Sequence, residues 1–346
     1  MGRPLRARRG RRARDGRRGA DRRRRLVHAL PPLLIRPSRA PVRPPDRRGA
    51  ALALAAALAG CGAGEEQGTG TFGLRMGDAP IEGAERVVVT FDRVELVGAP
   101  GRVTVWEGRR SVDLLEFRNC ELFDLVPPTS VPAGVYEQVR LHIVGPSGRD
   151  PMPNYVEFAG GRREALEVPS GGQSGARIPG PFVVPAGGSL GVLADFDLGK
   201  SIHLVETGSG KYLLRPVLRA VEDVRAAAVR GTVTAVGGEP LALEDAPVVY
   251  AWQGTGPLVD PATRIVAAEK VVASAAPRVD GSYCLGPLGA GTYQVTALAG
   301  VHRAPVGDTL VDQWDGRFTQ ETWPVPLALE SGEEATGVDF SLSPIP

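Results

Sequence analysis

The 346-residue sequence contains no apolar run long enough to cross a membrane as a helix. A spanning helix needs about 20 consecutive apolar residues, and the most apolar stretch, Gly49 to Ala57, is far shorter. Sustained helical periodicity is also scarce, and short Val- and Leu-rich runs alternate with Gly- and Pro-rich turn signals. This pattern is typical of an all-β protein, and its length predicts two β-sandwich domains in tandem.

Basic residues are scarce outside the amino-terminal region. Arginine occupies 18 of the first 48 positions, but from Cys61 onward 23 basic residues face 36 acidic ones, a net charge of −13. Nucleic-acid affinity comes mainly from Lys and Arg that neutralise phosphates. The acidic body therefore excludes nucleic acid as the expected partner, and the overall net charge of +2 is uninformative.

A lipoprotein signal follows the arginine-rich segment. Arg47 and Arg48 precede the apolar stretch, and Leu58-Ala59-Gly60-Cys61 completes it. The order of basic, apolar and small residues resembles the bacterial lipoprotein signal, L-[AS]-[GA]-C. The resemblance implies that Cys61 is acylated on its thiol and becomes the first residue after cleavage. We therefore predict a membrane partner through amino-terminal acyl chains.

Sixty residues before that cysteine are more than a signal peptide normally has. We therefore predict that translation starts at Val42, which leaves a signal of ordinary length, and that the arginine-rich run is not part of the mature protein. Gly62 stands where an Asp retains many such lipoproteins at an inner membrane. This favours an outer-membrane or cell-surface location in the envelope.

The chain divides into five predicted segments. These are the leader and signal, 1–60; the lipidated cysteine and a flexible Gly-rich tether, 61–70; a first β-sandwich, 71–222; a linker, 223–229; and a second β-sandwich, 230–346.

Three local features are predicted within the first sandwich. In "ERVVVTFDRVELV" the apolar alternation slips by one residue, which predicts a bulge near Asp92-Arg93. Residues 113–126 are the best candidate for a short helix or turn, and Pro216 marks an edge or bulge within a strand.

The stretch "ADFDLGKS", residues 194–201, differs from a phosphate-binding loop at one position. Such a loop requires a preceding strand and a following helix, whereas here the motif itself alternates as a strand and Ile202 begins another. We interpret Gly199-Lys200 as a turn. Asp195 and Asp197 would share one face of the strand, as weak candidates for a metal site or an acid–base pair. A solvated strand face is the favoured interpretation.

The remaining chemistry-bearing side chains form no catalytic constellation or cofactor site in the sequence. The histidines that follow the signal, His142, His203 and His302, have no ligand spacing and are expected at the surface.

Cys120 and Cys284 lie in different predicted domains. Two free or partly buried thiols are favoured, and a disulfide between the domains is the alternative. Zinc is disfavoured because no paired Cys or His lies nearby.

The tryptophans fit core positions on alternating strands better than a binding surface. Trp314, which begins the loop-like "WDGRF", is the candidate for ligand contact. The tryptophans are Trp106, Trp252, Trp314 and Trp323.

Two further resemblances concern the predicted sandwiches. Residues 71–222 resemble the bacterial envelope family called domain of unknown function 4382, through Asp78-Ala79-Pro80, V-T-F-x-x-V-E-L, Pro132-Ala133-Gly134-x-Tyr136, Asp195-Phe196-Asp197-Leu198 with Lys200-Ser201, and "YLLRPVLRAV". Gly77 replaces the usual hydroxyl residue. This resemblance implies a secreted or lipid-anchored β domain and transfers no catalytic residue.

The second half resembles the carboxypeptidase regulatory-like domain, a transthyretin-like β-sandwich. The similarity lies in "DGSYCLGPL" followed by "GAGTYQV", with "RGTVTAV" and "GVDFSLS" as first and last strands. We predict that Tyr283, Leu285, Tyr293 and Val295 face a core. The resemblance implies a stabilising or interaction module and not a peptidase.

Together these features predict a lipid-anchored envelope protein that is not an enzyme, needs no cofactor, and has a structural role or binds an envelope protein or glycan. Two alternatives remain open: a carbohydrate-active hydrolase that uses Asp195 and Asp197, and a calcium-dependent surface adhesin.

Overall fold

The computed structural model describes residues 68–79, 83–169, 175–205, 211–306, 309–320 and 325–345. The predicted leader and signal, the Val42 start, Cys61, the tether before Gly68, and Trp323 lie outside the described residues. The described residues belong to one compact unit. Within the described ranges no helix is long and apolar enough to span a membrane. The described structure is almost entirely β, so the predicted all-β class is confirmed.

The first sandwich is built from residues that follow the tether. Its strands are β1 (Thr69–Ala79), β2 (Ala84–Gly98), β3 (Gly101–Asp113), β4 (Phe123–Pro132), β5 (Gly134–Ile143), β6 (Tyr155–Phe158), β7 (Arg162–Glu167), β8 (Ala176–Val184), β9 (Ser189–Asp197), β10 (Ile202–Val205), β11 (Lys211–Leu214) and β12 (Leu218–Glu222). A one-turn helix, α1 (Leu198–Ser201), connects β9 to β10, and a 3-10 turn, Leu114–Glu116, follows β3.

These strands form two sheets. One has the order β12-β9-β1-β4, and the other has the order β10-β11-β7-β6-β2-β5-β8, with β3 paired to β2. The central strand β1 runs parallel to β9 and antiparallel to β4. Fully buried side chains from both sheets, among them Phe72, Phe91, Tyr136 and Phe196, meet in one core.

The predicted bulge in β2 is confirmed. The pairing of β2 with both neighbours shifts between Phe91 and Arg93, and Asp92 is the extra residue relative to β5. The shift returns Val94 and Leu96 to the core side, where both are fully buried. An extra residue in one strand changes which face the following side chains occupy, so this bulge keeps both halves of β2 in the core.

Pro216 separates two strands, whereas the sequence pattern predicts a strand with an edge or bulge at this proline. It lies between β11 and β12, which belong to different sheets. Proline cannot donate to a strand ladder, and here the break lets the chain cross from one layer to the other. The predicted short helix or turn at 113–126 is limited to the 3-10 turn at Leu114–Glu116, and β4 occupies its last residues.

The second sandwich has two main sheets and a hairpin. Its strands are β13 (Ala227–Ala235), β14 (Val248–Trp252), β15 (Val271–Ala275), β16 (Ser282–Leu288), β17 (Gly291–Leu298), β18 (Val301–Val306), β19 (Thr309–Trp314), β20 (Phe318–Gln320), β21 (Val325–Leu329), β22 (Glu334–Ala335) and β23 (Phe340–Pro344). Short 3-10 turns lie at Asp223–Arg225 and Leu243–Asp245. The sheet orders are β16-β13-β23-β20, with β22 paired to β13, and β15-β14-β17-β21; β18 pairs with β19.

The core of the second sandwich contains the residues that the sequence pattern placed there. Tyr283, Leu285, Tyr293 and Val295 are all buried in it, as predicted. The first strand, β13, already begins at Ala227, so the segment between the sandwiches is shorter than the predicted linker 223–229.

The two sandwiches share a local hydrogen bond from a tyrosine to the backbone. In each, a tyrosine hydroxyl donates a hydrogen bond to the carbonyl oxygen four residues earlier: Tyr136 to Pro132 and Tyr293 to Gly289, both at 2.8 Å. Each tyrosine follows an Ala-Gly pair at the start of its strand. The bond gives the hydroxyl of a buried tyrosine ring a hydrogen-bond partner. It also ties each tyrosine to the residues just before β5 or β17.

Gly231 gives a test of the second core. A Cβ at this position would lie 1.9 Å from the carbonyl oxygen of Val338, which also accepts the hydroxyl of Tyr283. We expect Gly231→Ala to lower the free energy of unfolding by about 1–3 kcal/mol, because the backbone must move. Gly145→Ala is the control, since its Cβ would meet no atom within 4 Å. Equal chemical-denaturation midpoints for the two variants would contradict this packing.

Candidate functional site

The junction between the two sandwiches brings together most of the chemistry-bearing residues. Cys120, which follows the first 3-10 turn, and Cys284, in β16, form a disulfide, with Cα atoms 5.6 Å apart. The expectation of free thiols was therefore wrong. Cys284 does point out of its own sandwich, as its position between Tyr283 and Leu285 requires, but the first sandwich covers it and leaves it 2% exposed.

Asn119 strengthens the same contact. Its side-chain amide donates to the carbonyl of Ala276 at 2.9 Å, and its side-chain oxygen accepts the backbone N–H of Cys284 at 3.1 Å. Arg278 forms an ion pair with Glu121 at 3.1 Å. The disulfide thus lies among hydrogen bonds that already hold the two backbones in register.

Asp195 is buried in the junction. Its carboxylate is 4% exposed and forms an ion pair at 2.5 Å with Arg219 on the neighbouring strand β12. Burial raises the pKa of Asp195, and the charge of Arg219 opposes that rise. The favoured interpretation of a solvated face was wrong because β16 of the second sandwich packs over β9 and β12.

Asp197 has a different role, although it also faces the junction. One of its carboxylate oxygens accepts the backbone N–H of Lys200 at 3.0 Å and caps α1, and the other lies 3.1 Å from the Lys200 ammonium. The same ammonium donates to the carbonyl of Val271 in the second sandwich at 2.6 Å. The segment that resembled a phosphate loop is therefore a connection between the domains.

The β18–β19 hairpin makes a further connection. Arg303 donates to the carbonyl of Gly199 and forms an ion pair with Asp312 at 2.7 Å. Asp312 also accepts the hydroxyl of Tyr250 at 3.1 Å. Leu310 on the same hairpin packs against the core of the first sandwich.

These groups surround a small cavity of about 240 Å³, lined by Asp197, Lys200, His203, Tyr250, Arg303 and Asp312 among others. A larger cleft of about 550 Å³ opens beside the disulfide, with Arg118, Asn119, Ser274 and Arg278 in its wall. Ligand sites are often found between domains. Both aspartates in the small cavity already face a cation of the chain, Lys200 beside Asp197 and Arg303 beside Asp312.

The histidines occupy three different environments. His142 was expected at the surface and is instead 2% exposed, with its ring Nε2 2.9 Å from a carboxylate oxygen of Glu95. The pair lies on the outer face of the β2–β5 sheet, beneath Arg93 and Arg102. His203 is half-buried, and burial, together with the charges of Arg215 and Arg303, lowers its pKa. His302 is exposed on β18.

Glu95 is the ionisable partner in the His142 pair. Burial alone would raise its pKa, but the hydrogen bond from His142 and the charges of His142, Arg93 and Arg102 outweigh that effect and lower it. A charged Glu95 is therefore part of the folded structure.

The tryptophans that the structure describes pack against apolar clusters. Trp252 is buried and donates to Thr296 Oγ1 at 3.1 Å, and the indole of Trp314 donates to the carbonyl of Ala299 at 3.0 Å. Both belong to a second apolar cluster with Tyr250. Trp314 ends strand β19 and is half-buried, so it is a weaker binding candidate than the sequence indicated. Trp106 packs against the first core.

In the part of the chain that the structure describes, no group of three or more His, Cys, Asp or Glu side chains could hold a metal ion. Asp195 and Asp197, the weak metal candidates, have Arg219 and Lys200 as partners. Sequence reasoning missed Asn119 and Arg303 altogether. Only the position of Asn119 beside Cys120 could have indicated it.

Comparison with known families confirms one resemblance. Residues 69–216 match the family described as "Domain of unknown function (DUF4382)". The match covers the first sandwich almost to the end of the predicted 71–222 segment. No curated protein sequence matches the chain.

Among solved structures, the chain is similar to the Bacillus anthracis TIE protein, a streptococcal ancillary pilin and a minor pilin of Streptococcus agalactiae. Their sequence identities are 12%, 14% and 10%, and their TM-scores 0.21, 0.20 and 0.23. Each alignment covers 80% of this chain; the shares of the three other chains are 34%, 63% and 97%. The chain thus spans about a third of the first protein, and similarities this low carry no functional argument.

The Asp195–Arg219 pair gives a test of the junction. We expect Arg219→Gln to lower the free energy of unfolding by about 3 kcal/mol, because removing one partner leaves a buried charge uncompensated. Arg163→Gln is the matched control: its pair with Glu157 is at the surface, and its loss should cost less than about 1 kcal/mol. Denaturant titration distinguishes these outcomes, and a small loss for both variants would count against a buried pair.

Glu95 gives a pH-dependent test. Its pKa in the folded chain is below the ordinary 4.5, so the unfolded chain binds the proton more readily. The stability that ionised Glu95 contributes is present above about pH 4.5 and is lost as the pH falls through the folded-state value. We expect the stability difference between the wild type and Glu95→Gln to shrink in that range. Unfolding free energies measured across the range check this, and a difference that stays constant would refute it.

Proposed function

We propose that this protein is a lipid-anchored component of the bacterial cell envelope, in which two β-sandwiches form one rigid unit with a non-catalytic structural or partner-binding role. The membrane is its first partner, through acyl chains on Cys61, and an envelope protein or glycan is the second. The second sandwich acts as a carboxypeptidase regulatory-like interaction module.

The observation that carries this proposal is the disulfide between Cys120 and Cys284, which joins residues 164 positions apart in different sandwiches. Disulfides persist in oxidising compartments and are rare in the cytosol. The bond therefore supports export from the cytoplasm, independently of the signal at Leu58–Cys61. Cross-linking two domains also removes their freedom to separate, which suits a unit that bears load or presents a surface.

The junction favours binding over catalysis. A hydrolase that used Asp195 and Asp197 would need carboxyl groups that reach a substrate, and these two are 4% and 9% exposed as side chains and are paired with cations. A calcium-dependent adhesin would need carboxylates that are free to bind the ion. Neither alternative has an observation in its favour.

The location follows from the proposed anchor. A single acyl chain binds a membrane only marginally, but two or three chains hold a protein stably. With Gly62 after the acylated cysteine, we place the protein at the outer membrane or cell surface.

The test is incorporation of labelled fatty acid, together with the intact mass of the protein from cells. We expect wild-type chains to begin at Cys61 and to carry acyl groups, and Cys61→Ala to carry none. The double variant Cys120→Ser/Cys284→Ser is the control and should be acylated normally. An unmodified wild-type chain that keeps residues 1–60 would overturn the anchor.

The same samples report on the compartment. Alkylation under denaturing conditions should leave Cys120 and Cys284 unlabelled until a reductant is added, because both thiols are in the disulfide. Immediate labelling of both would remove the observation on which the proposal stands.

A further inference from the structure

The chain enters the first sandwich at an end that we call the tether end. There the carbonyl of Gly68 accepts the N–H of Ala133 at 2.7 Å, and the carbonyl of Thr69 accepts the N–H of Gly187 at 2.8 Å. The N–H of Ala99, at the tip of the β2–β3 hairpin, donates to the carbonyl of Val135 at 2.9 Å. We define the tether end as Gly68, Ala99–Arg102, Val135, Val183 and Pro185–Gly188.

The tether end is held close to the anchor. Only seven peptide units separate Cys61 from Gly68, and a fully extended chain spans at most about 3.6 Å per residue, or roughly 25 Å in all. This step rests on the proposed acylation of Cys61. If that cysteine is acylated, this end of the sandwich and the membrane surface cannot be far apart.

The tether end exposes apolar side chains in one place. Val135 and Val183 are 44% and 51% exposed and lie directly opposite each other on the outer face of β5 and β8. Ala99, Pro185 and Ala186, which are also exposed, lie on the adjoining turns. Single exposed apolar residues need no explanation, but adjacent ones indicate a contact surface.

Arginines continue from this apolar group along the same face. Arg102 is at the hairpin tip, and Arg140 on β5 is directly opposite Arg177 on β8. Among the described residues, the side chains of Arg140 and Arg177 have no ion-pair or hydrogen-bond partner. The buried Nε of Arg140 has no acceptor. Like charges placed opposite each other are destabilising, so an external anion would relieve the pair.

The charge of this face contrasts with the rest of the chain. The residues from Cys61 onward carry a net charge of −13, which would repel an anionic surface. Glu137 is the acidic neighbour on β5, and Glu95, which lies opposite Arg140 on β2, is buried beneath Arg93 and Arg102. The exposed part of this face is therefore basic, although the chain as a whole is acidic.

The opposite end of the sandwich holds the second domain. Strands β1 and β9 run in parallel from the pair Thr71–Ser189, at the tether end, to the pair Ala79–Asp197. That is eight residues, or about 26 Å. Lys200, just beyond Asp197, contacts Val271 of the second sandwich.

We propose that the tether end, together with the adjoining outer face of β5 and β8, binds the anionic headgroup surface of the lipid membrane, with Val135 and Val183 entering the interface and Arg102, Arg140 and Arg177 contacting lipid phosphates. The acyl anchor and this surface together fix which face of the first sandwich lies against the membrane.

The test measures vesicle binding without the anchor. The chain from Gly62 onward, which includes every residue that the structure describes, lacks both the acylated cysteine and the arginine-rich leader. It is sedimented with vesicles of phosphatidylcholine alone or of phosphatidylcholine with phosphatidylglycerol. We expect binding to the anionic vesicles only, weakened by salt because headgroup attraction is screened.

Paired variants locate the surface. We expect Arg140→Gln/Arg177→Gln to reduce binding to anionic vesicles by about ten-fold or more, and Val135→Ser/Val183→Ser to reduce it by about ten-fold. The control is Arg230→Gln/Val236→Ser, which changes the same residue types at exposed positions of the second sandwich. It should bind like the wild type.

Three results would overturn the inference: no binding to anionic vesicles, equal binding to both kinds of vesicle, or a control variant that loses as much binding as the tether-end variants. These outcomes are separable from failure of the anchor, which is read by fatty-acid incorporation in cells. An acylated protein whose unacylated chain ignores anionic vesicles would refute the surface alone. A chain that binds them but is never acylated would refute the anchor alone.

Discussion

The contact between the two sandwiches is the constraint on which the rest of the structure depends. It covers part of the outer face of the β12-β9-β1-β4 sheet, where β16 packs over β9 and β12, so Asp195, Asp197 and Cys284 are buried although each points out of its own core. Buried charges require partners, and the first sandwich provides them itself through Arg219 on β12 and Lys200 in α1. The disulfide Cys120–Cys284 then joins two surfaces that already fit.

Each sandwich is otherwise organised by local rules. The tyrosine bonds at Tyr136 and Tyr293 span only four residues, and the bulge at Asp92 restores the alternation within a single strand. Such features come from neighbouring residues and reappear in both domains. The junction, by contrast, depends on residues far apart in sequence, such as Lys200 with Val271 and Arg303 with Gly199.

The two sandwiches are joined at one end of the first. Strands β1 and β9 run from the tether end to the residues beside the junction, so the chain enters the first sandwich at the end opposite its contacts with the second. The disulfide and the hydrogen bonds of Asn119 hold that contact together. In the anchored protein that we propose, the disulfide would carry the constraint of the anchor from the first sandwich to the second.

The sequence by itself determined what depends on local pattern: the all-β class, the bulge in β2 and the core positions of Tyr283 and Val295. It also gave the similarity of residues 69–216 to a known family. Alternation shows which face of a strand a side chain occupies, and these predictions used only that. It does not show what covers the face. His142 and Asp195 were therefore expected in solvent, and Cys120 and Cys284 as free thiols. Only the tertiary structure decided these cases, because Arg93 and Arg102 lie over His142 and Glu95, and a whole domain lies over Asp195.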